Sequence, residues 1–413
     1  MNATLHRSTV YQPNGQSVTD RLLQGDLPPD PVARAAAVVP VIAANLDRID
    51  KDRRLPPAVL EALHAAGLFR LLLPRSAGGE EVEPAEFVQV IMTLAAADAS
   101  VAWCVCQGSV CSMAAAYMAP DPVAAIWGDD PTGVLAWGAG SHPVAKAVQG
   151  GYRVTGTWGY ASGNRHATWL GGHCRIEEQD GTLRQGPGGA PLERTLLFPR
   201  AQATVDTDWN TLGLRGTGSD GYSVTDLFVP EDYTVIRDVA ALRQQAGPLF
   251  RCSTTNLYAA GFGALALGIA RGAIDALVAV ATVKTPQATT RALRDSPVVQ
   301  MNVALAEAKL QAASLLLFDS LREAYASVAD GAEMTLDHKM RIRMAGTFAT
   351  HQARDVVSTA FHEAGATAIF DANPFERRLR DVNSVGQQVQ ARAAHFETVG
   401  GYMLGASPNL RFI

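Results

Sequence analysis

The chain has 413 residues, 47% of them hydrophobic and 18% charged, which is enough apolar material for a large core and too much length for one ordinary domain. Lys and Arg number 35 against 40 Asp and Glu, a net charge of −5, which argues against a nucleic-acid binder whose affinity comes from neutralising phosphates. The polar first thirty residues hold no apolar run long enough for a signal-peptide core, and the most apolar stretch, 101–120, is broken by Gln107, Gly108, Ser109 and Ser112. A cytoplasmic protein with no membrane span and no nucleic-acid partner is expected.

In chain order, a loose tail is expected over 1–30 and a helical domain over 31–130, where Ala and Leu dominate at helical spacing. Val59, Leu60, Leu63, Ala66 and Gly67 share one helix face behind Pro56 and Pro57, and the run ends at Pro74 with a turn at Gly78 and Gly79. Further helices are expected over 84–97 and 100–118. Near Pro131 the pattern turns to Gly, Val, Thr and aromatics in short alternating runs, so 131–240 should be a small β domain. It includes a pair of strands joined through Gly150 and Gly151, and two more in TLLFPR and YSVTDLFVP. Over 241–413, apolar windows bounded by Pro286, Pro297, Gly331, Gly365 and Pro374 fit four long helices in an antiparallel bundle.

The five cysteines are an odd number in a large chain without an export signal, which disfavours a disulfide framework. Cys104 and Cys106 point about 200° apart on a helix, so they read as small core residues and no metal is expected. The glycine-rich segment GLRGTGSDG, 213–221, is not a dinucleotide fingerprint, and by itself it reads as a β-hairpin loop.

Helices, a small β domain, then a helical bundle is the organisation of the acyl-CoA dehydrogenase superfamily, and stretches along the whole chain resemble it. LPPAVLEALHAAGLFRLLLPRSAGG resembles its N-terminal helix and turn, GYRVTGTWGYASG a flavin-facing strand, WNTLGLRGTGSDGYSVTDLFVP a closing hairpin, and PFERRLRD the segment before the last helices. Dehydrogenases of this fold usually place a catalytic Glu eight residues after the Asp of an Arg-Asp pair. Here the pair is Arg380-Asp381 and the position holds Val389, which cannot take a proton.

ASVAWC, TWGYASGNRHATW and LGIARGAIDAL are more similar to the two-component flavin-dependent monooxygenases on this fold. The resemblance implies reduced FMN or FAD as a diffusible cofactor, O2 as cosubstrate, a separate NAD(P)H-flavin reductase, a C4a-hydroperoxyflavin intermediate, a small aromatic substrate and a homotetramer. It places Ser162 by the flavin N5 as a catalytic residue, and His166 in the same loop. Trp158, Trp169, Arg271, Arg291 and Arg378 are implied in cofactor binding, and Trp103, Cys111 and Gln388 in substrate binding. Histidines that phenol hydroxylases of this group commonly carry are replaced here by Gln388 and Cys111, which favours an indole-like substrate that needs no deprotonation. Otherwise His362 or His395 supplies the base, and His362 is the candidate. Two alternatives remain open at this point: an acyl-CoA dehydrogenase with a relocated base, and a flavin-fold subunit without catalysis.

Overall fold

The computed structural model describes residues 28–413 except 129, 141–142, 187–188 and 288. The tail expected over 1–30 lies almost wholly outside the described residues. Helices α1 (Pro31–Ala43), α2 (Leu46–Asp52), α3 (Pro57–Ala65), α4 (Pro84–Ala97), α5 (Ala99–Ser112) and the short α6 (Pro120–Val123) lead into a sheet. Its strands are β1 (Leu135–Trp137), β2 (Ala139–Gly140), β3 (Val144–Val148), β4 (Gly151–Gly159), β5 (Trp169–Glu177), β6 (Glu193–Pro199), β7 (Thr204–Val205), β8 (Tyr222–Pro230) and β9 (Thr234–Val235). A second helical region follows: α7 (Thr254–Val283), α8 (Pro297–Ala329), α9 (Leu336–Ala364), α10 (Phe375–Val385) and α11 (Ala394–Met403). Helices flanking a central mixed sheet make this the acyl-CoA dehydrogenase-like architecture.

Helix starts follow local chemistry. Asp30 accepts hydrogen bonds from the Val32 and Ala33 amides (2.9 and 3.2 Å) ahead of Pro31, and Asp98 accepts from the Val101 amide at 3.0 Å to begin α5. Every residue of α5 is buried, so the helix runs through the centre of the fold and shows no polar stripe. It comes close to α7: a Cβ at Gly261 would lie 2.5 Å from the Cys106 sulfur. Helix α7 in turn crosses α9 at small residues, since a Cβ at Gly346 would lie 2.6 Å from the Ala259 carbonyl oxygen.

The sheet runs β7-β8-β4-β3-β5-β6-β9, with β1 beside β5 and β2 beside β4. Strands β3 and β4 turn through Gly150, whose φ of 79° suits glycine. Strand β5 carries no clear sequence signal, because Gly171 and Gly172 interrupt its apolar alternation. Those glycines make room for indole rings. A Cβ at Gly172 would lie 2.5 Å from the Trp158 ring, and one at Gly171 3.1 Å from that of Trp137.

Among the described residues the C-terminal bundle is built on the long helices α7, α8 and α9 and is completed by the shorter α10 and α11. Charged α10 serves as a bracket between domains. Arg377 donates to the Leu46 carbonyl (2.9 Å), Arg380 to the Leu212 carbonyl (2.8 Å), and Asp381 accepts from the Leu214 amide (2.7 Å). Among the described residues three helical segments are long and apolar enough to cross a membrane. Protein covers 94% of the apolar window in Ala99–Tyr117 and 67% in Thr254–Val283, but only 22% in Pro297–Ala329.

Candidate active site

The loop after β4 and the glycine-rich loop before β8 are clamped together. Asn164, fully buried, donates to the carbonyls of Ala161, Gly218 and Asp220 at 3.0 to 3.1 Å. Arg165 holds Asp220 through two bonds of 2.6 and 2.9 Å. The Gly163 amide donates to the Thr217 carbonyl (3.1 Å), with Gly163 at a φ of 81°. The segment 213–221 is thus a packed structural loop as well as the lead into β8.

Ser162 lies where this double loop meets α5. Its hydroxyl accepts the Trp103 indole N–H at 2.8 Å and lies 2.7 Å from the Ser219 hydroxyl, itself 2.7 Å from the Thr217 hydroxyl. Proton counting fixes the direction of the chain. Thr217 spends its single hydrogen on the Leu214 carbonyl (2.8 Å), so Ser219 donates to Thr217 and Ser162 donates to Ser219. One acceptor position remains on the Ser162 oxygen.

From Trp103 an aromatic wall continues along α7. The Trp103 ring stacks on Phe262 with centroids 4.1 Å apart, and Phe262 on Tyr258 at 5.8 Å. The Tyr258 hydroxyl lies 3.3 Å from the Cys111 sulfur, and Gln107 donates to that sulfur at 3.5 Å. Burial pushes the Cys111 thiol up to about 12 and the Tyr258 phenol well above its usual value, so both stay protonated near neutrality. Trp103, Gln107 and Cys111 sit four residues apart on one face of α5, as Tyr258 and Phe262 do on α7. That spacing is the signal by which Gln107, Tyr258 and Phe262 could have been picked out beforehand.

The structure brings Ser162, Trp103 and Cys111 together and separates the remaining candidates. Trp158 is corrected outright. It is 0% exposed, stacks on Tyr222 (5.4 Å) and donates to the His173 carbonyl (3.2 Å), so its ring belongs to the β-domain core and offers no face to a cofactor. Trp169 stacks on Tyr233 at 5.4 Å with the rings 3° from parallel. His166 packs against Phe69 (5.4 Å) and beside Gly163, its Nε2 buried without a hydrogen-bond partner, and burial, with the charges of His64 and Arg200, pushes its imidazole down to about 3. A neutral ring there cannot act as an acid near pH 7. His362 is exposed on the last turn of α9, and Arg291 is exposed in the loop before α8. Arg271 is occupied by Glu307 (2.6 Å) and Asp275 (2.9 Å). Gln388 caps the turn after α10, accepting from the Gln390 amide at 2.8 Å, while its Nε2 is buried without a hydrogen-bond partner.

Arg378 lines a cleft of about 550 Å3 together with Asp98, Arg377 and Asp381. Ten residues of α7 separate Gly272, against which Arg378 packs, from Phe262, so the cleft and the aromatic wall lie about 15 Å apart along that helix. The Arg378 Nε is buried and makes no hydrogen bond, and desolvation holds the guanidinium below its usual range. Asp381 is pushed up to about 7, chiefly by burial and next by the charge of Asp98, against the pull of the Leu214 amide and of Arg380 and Arg377. A buried cation short of acceptors is what an anionic group such as a flavin phosphate would complete. The spare acceptor position on Ser162 suits the N–H that a reduced flavin carries. These residues fit a flavin.

A fold of this kind, with a hydroxyl facing an aromatic wall and an anion-seeking cleft, defines a flavoprotein of the acyl-CoA dehydrogenase class. Residues 33–121 match the family described as acyl-CoA dehydrogenase, N-terminal domain, and 260–392 the family described as acyl-CoA dehydrogenase, C-terminal domain. The chain is 31% identical to indole-3-acetate monooxygenase of Pseudomonas putida, over 88% of this chain and 91% of that protein. It is 28% identical to the flavin-dependent monooxygenase oxygenase subunit HsaA of Rhodococcus jostii, over 85% and 92% of the two chains. Among solved structures, XiaF from a Streptomyces species, in complex with FADH2 and glycerol, superposes with a TM-score of 0.84 at 23% identity, over 95% of this chain and 97% of that one. The chain belongs to the flavin-dependent monooxygenases of the acyl-CoA dehydrogenase superfamily, and it is an oxidoreductase.

Proposed function

We propose that this chain is the oxygenase component of a two-component system. It takes reduced FMN or FAD from a separate NAD(P)H-flavin reductase and, with O2, oxygenates a small aromatic, indole-like substrate in the cytoplasm. The observation that carries this reading is the Ser162 hydroxyl, fixed between Trp103 and Ser219 at the head of an aromatic wall. Bound reduced flavin supplies the electrons that activate O2. Ser162 holds its oxygen in one orientation with an acceptor position free, Arg378 offers a buried cation to the flavin phosphate, and Trp103, Phe262 and Tyr258 give an aromatic ring a dry surface to lie on.

Among the described residues the groups at that wall include no ready base, which favours an indole over a phenol. Cys111 and Tyr258 stay protonated, Gln107 is an amide, and the neutral His166 faces Phe69. An indole carbon is already nucleophilic, whereas a phenol reacts best after losing its proton. At Val389, the place of the dehydrogenase carboxylate, the main-chain carbonyl accepts a hydrogen bond from the His395 ring at 2.8 Å, which supplies no base. The exposed Val298, Met301, Leu305 and Leu315 along α8 support assembly with further copies, as in a homotetramer. Mixing the protein with reduced FMN or FAD and oxygen, with and without indole compounds, should yield an oxygenated indole. Anaerobic bleaching of bound FAD by an acyl-CoA thioester, with no indole product, would sink the reading.

A further inference from the structure

We propose that Arg237 reads a carboxylate on the substrate, so that the preferred substrate is an aromatic ring carrying a short acidic side arm, with the ring toward Ser162 and the acid toward Arg237. This rests on the reading of the chain as an aromatic oxygenase. Arg237 follows β9 at the entrance to α7. Its guanidinium carbon lies 4.5 Å above the Trp137 ring, and its Nη1 donates to the Thr254 hydroxyl at 3.3 Å. That stacking fixes the guanidinium plane, which matches the two oxygens of a carboxylate.

No carboxylate serves Arg237 among the described residues. Arg165, Arg271 and Arg380, also partly buried, each hold one: Asp220, Glu307 and Glu376, all at 2.6 Å. The obvious local candidate, Asp238, spends its oxygens on the Thr254 amide (3.2 and 3.1 Å) and hydroxyl (2.8 Å). Other half-buried arginines that lack a carboxylate are held by main-chain carbonyls, as Arg70 is by those of Trp127 (2.9 Å) and Asp130 (3.0 Å), whereas Arg237 has a hydroxyl and an indole face.

The Arg237 charge also reaches the far end of the aromatic wall. It opposes the burial-driven rise at both Cys111 and Tyr258, the two residues that end the wall running from Ser162 through Trp103 and Phe262. The Cys111 sulfur in turn approaches the main chain of Trp137, the residue beneath Arg237. Apolar rings at one end and an unpaired guanidinium at the other describe an amphiphilic aryl acid. A plain indole would use only half of that surface.

The test uses indole-3-acetate and its neutral amide, indole-3-acetamide, titrated calorimetrically into full-length wild type, Arg237→Gln and Arg237→Lys. A charge-assisted bond should make the wild type bind the acid about tenfold or more tighter than the amide. Arg237→Gln should remove that preference by weakening the acid alone, leave the amide and reduced-flavin affinity within about twofold, and Arg237→Lys should restore part of the difference. Equal losses for both probes, a wild type without preference or without measurable binding of the acid, or a variant that loses flavin instead would overturn the proposal. Product formation with reduced flavin and oxygen separates the two claims. Indole products without any acid preference leave the oxygenase reading standing and remove Arg237, whereas an Arg237-dependent preference for the acid with no oxygenated product does the reverse.

Discussion

The surroundings of Ser162 and the cleft at Arg378 solve opposite problems. Along the hydroxyl chain at Ser162 the groups are neutral and every hydrogen finds an acceptor: Trp103 donates to Ser162, Ser162 to Ser219, Ser219 to Thr217, and Thr217 to a main-chain carbonyl. Such a chain is complete in the protein alone and holds its oxygen still at any ordinary pH. At Arg378 the fold has buried charges without finishing their partners, leaving a guanidinium nitrogen unbonded and two acids, Asp98 and Asp381, both raised by burial. The first arrangement suits a group that must keep its place during a reaction. The second suits a place where something charged arrives.

If that contrast is right, the largest loss should come from the unfinished side. Replacing Arg378 by Met removes an incompletely bonded buried charge but also part of the positive field on Asp98, so the thermal midpoint should shift little. Reduced-flavin affinity, measured by anaerobic titration, should instead fall about tenfold to a hundredfold, the worth of a charge-assisted bond of about 1.5–3 kcal/mol. Unchanged affinity would mean that the cleft serves something other than the flavin.

A smaller effect is expected from the finished side. Ser162→Ala leaves the Trp103 N–H without its acceptor, which costs about 1–3 kcal/mol of stability if the indole stays buried. Flavin affinity should be nearly unchanged, while product per flavin oxidised drops about tenfold and hydrogen peroxide rises to match, since ~1.4 kcal/mol is a factor of ten in rate. Wild-type coupling in a folded variant would reduce Ser162 to a turn residue.

How these regions show in the sequence differs for the same physical reason. Helix boundaries at Pro84 and Ala97 and the turn at Gly150 are written in local chemistry, and the amphipathic face of α3 in its spacing. Helix α5 is buried all round, so its periodicity is silent, and α10 bonds to other elements, which nothing within 375–385 reveals. Ser162 is legible through the resemblance its loop carries. The place of Trp158 is not legible, because alternation says only that a strand side chain lies on one face. It was the glycines of β5, opposite, that decided which face held the ring. Tyr258 and Phe262 lie some 150 residues beyond Trp103, a separation that only the packed structure can close.

The finest discrimination between the two regions is their response to pH, and Asp381 carries it. Its carboxyl, ordinarily near 3.8, is pushed up to about 7 in the folded protein. Between those values the native state keeps a proton that the unfolded chain has released, so the benefit is full below about pH 4 and is lost as pH rises toward 7. The charged groups facing it include Asp98, which adds to the rise, Arg377 and Arg380, which oppose it, and Arg378 in the same cleft. Asn at 381 can still accept the Leu214 amide through its carbonyl oxygen but has no proton to lose. Wild type should therefore lose stability relative to Asp381→Asn as pH increases through this window, with a slope of at most about 1.4 kcal/mol per pH unit. Ser162→Ala, which alters only neutral groups, should run parallel to wild type over the same range. Thermal midpoints of the three proteins between pH 4.5 and 8 check both statements. Parallel curves for all three would show that Asp381 titrates as an ordinary aspartate and that the cleft is better solvated than its burial implies.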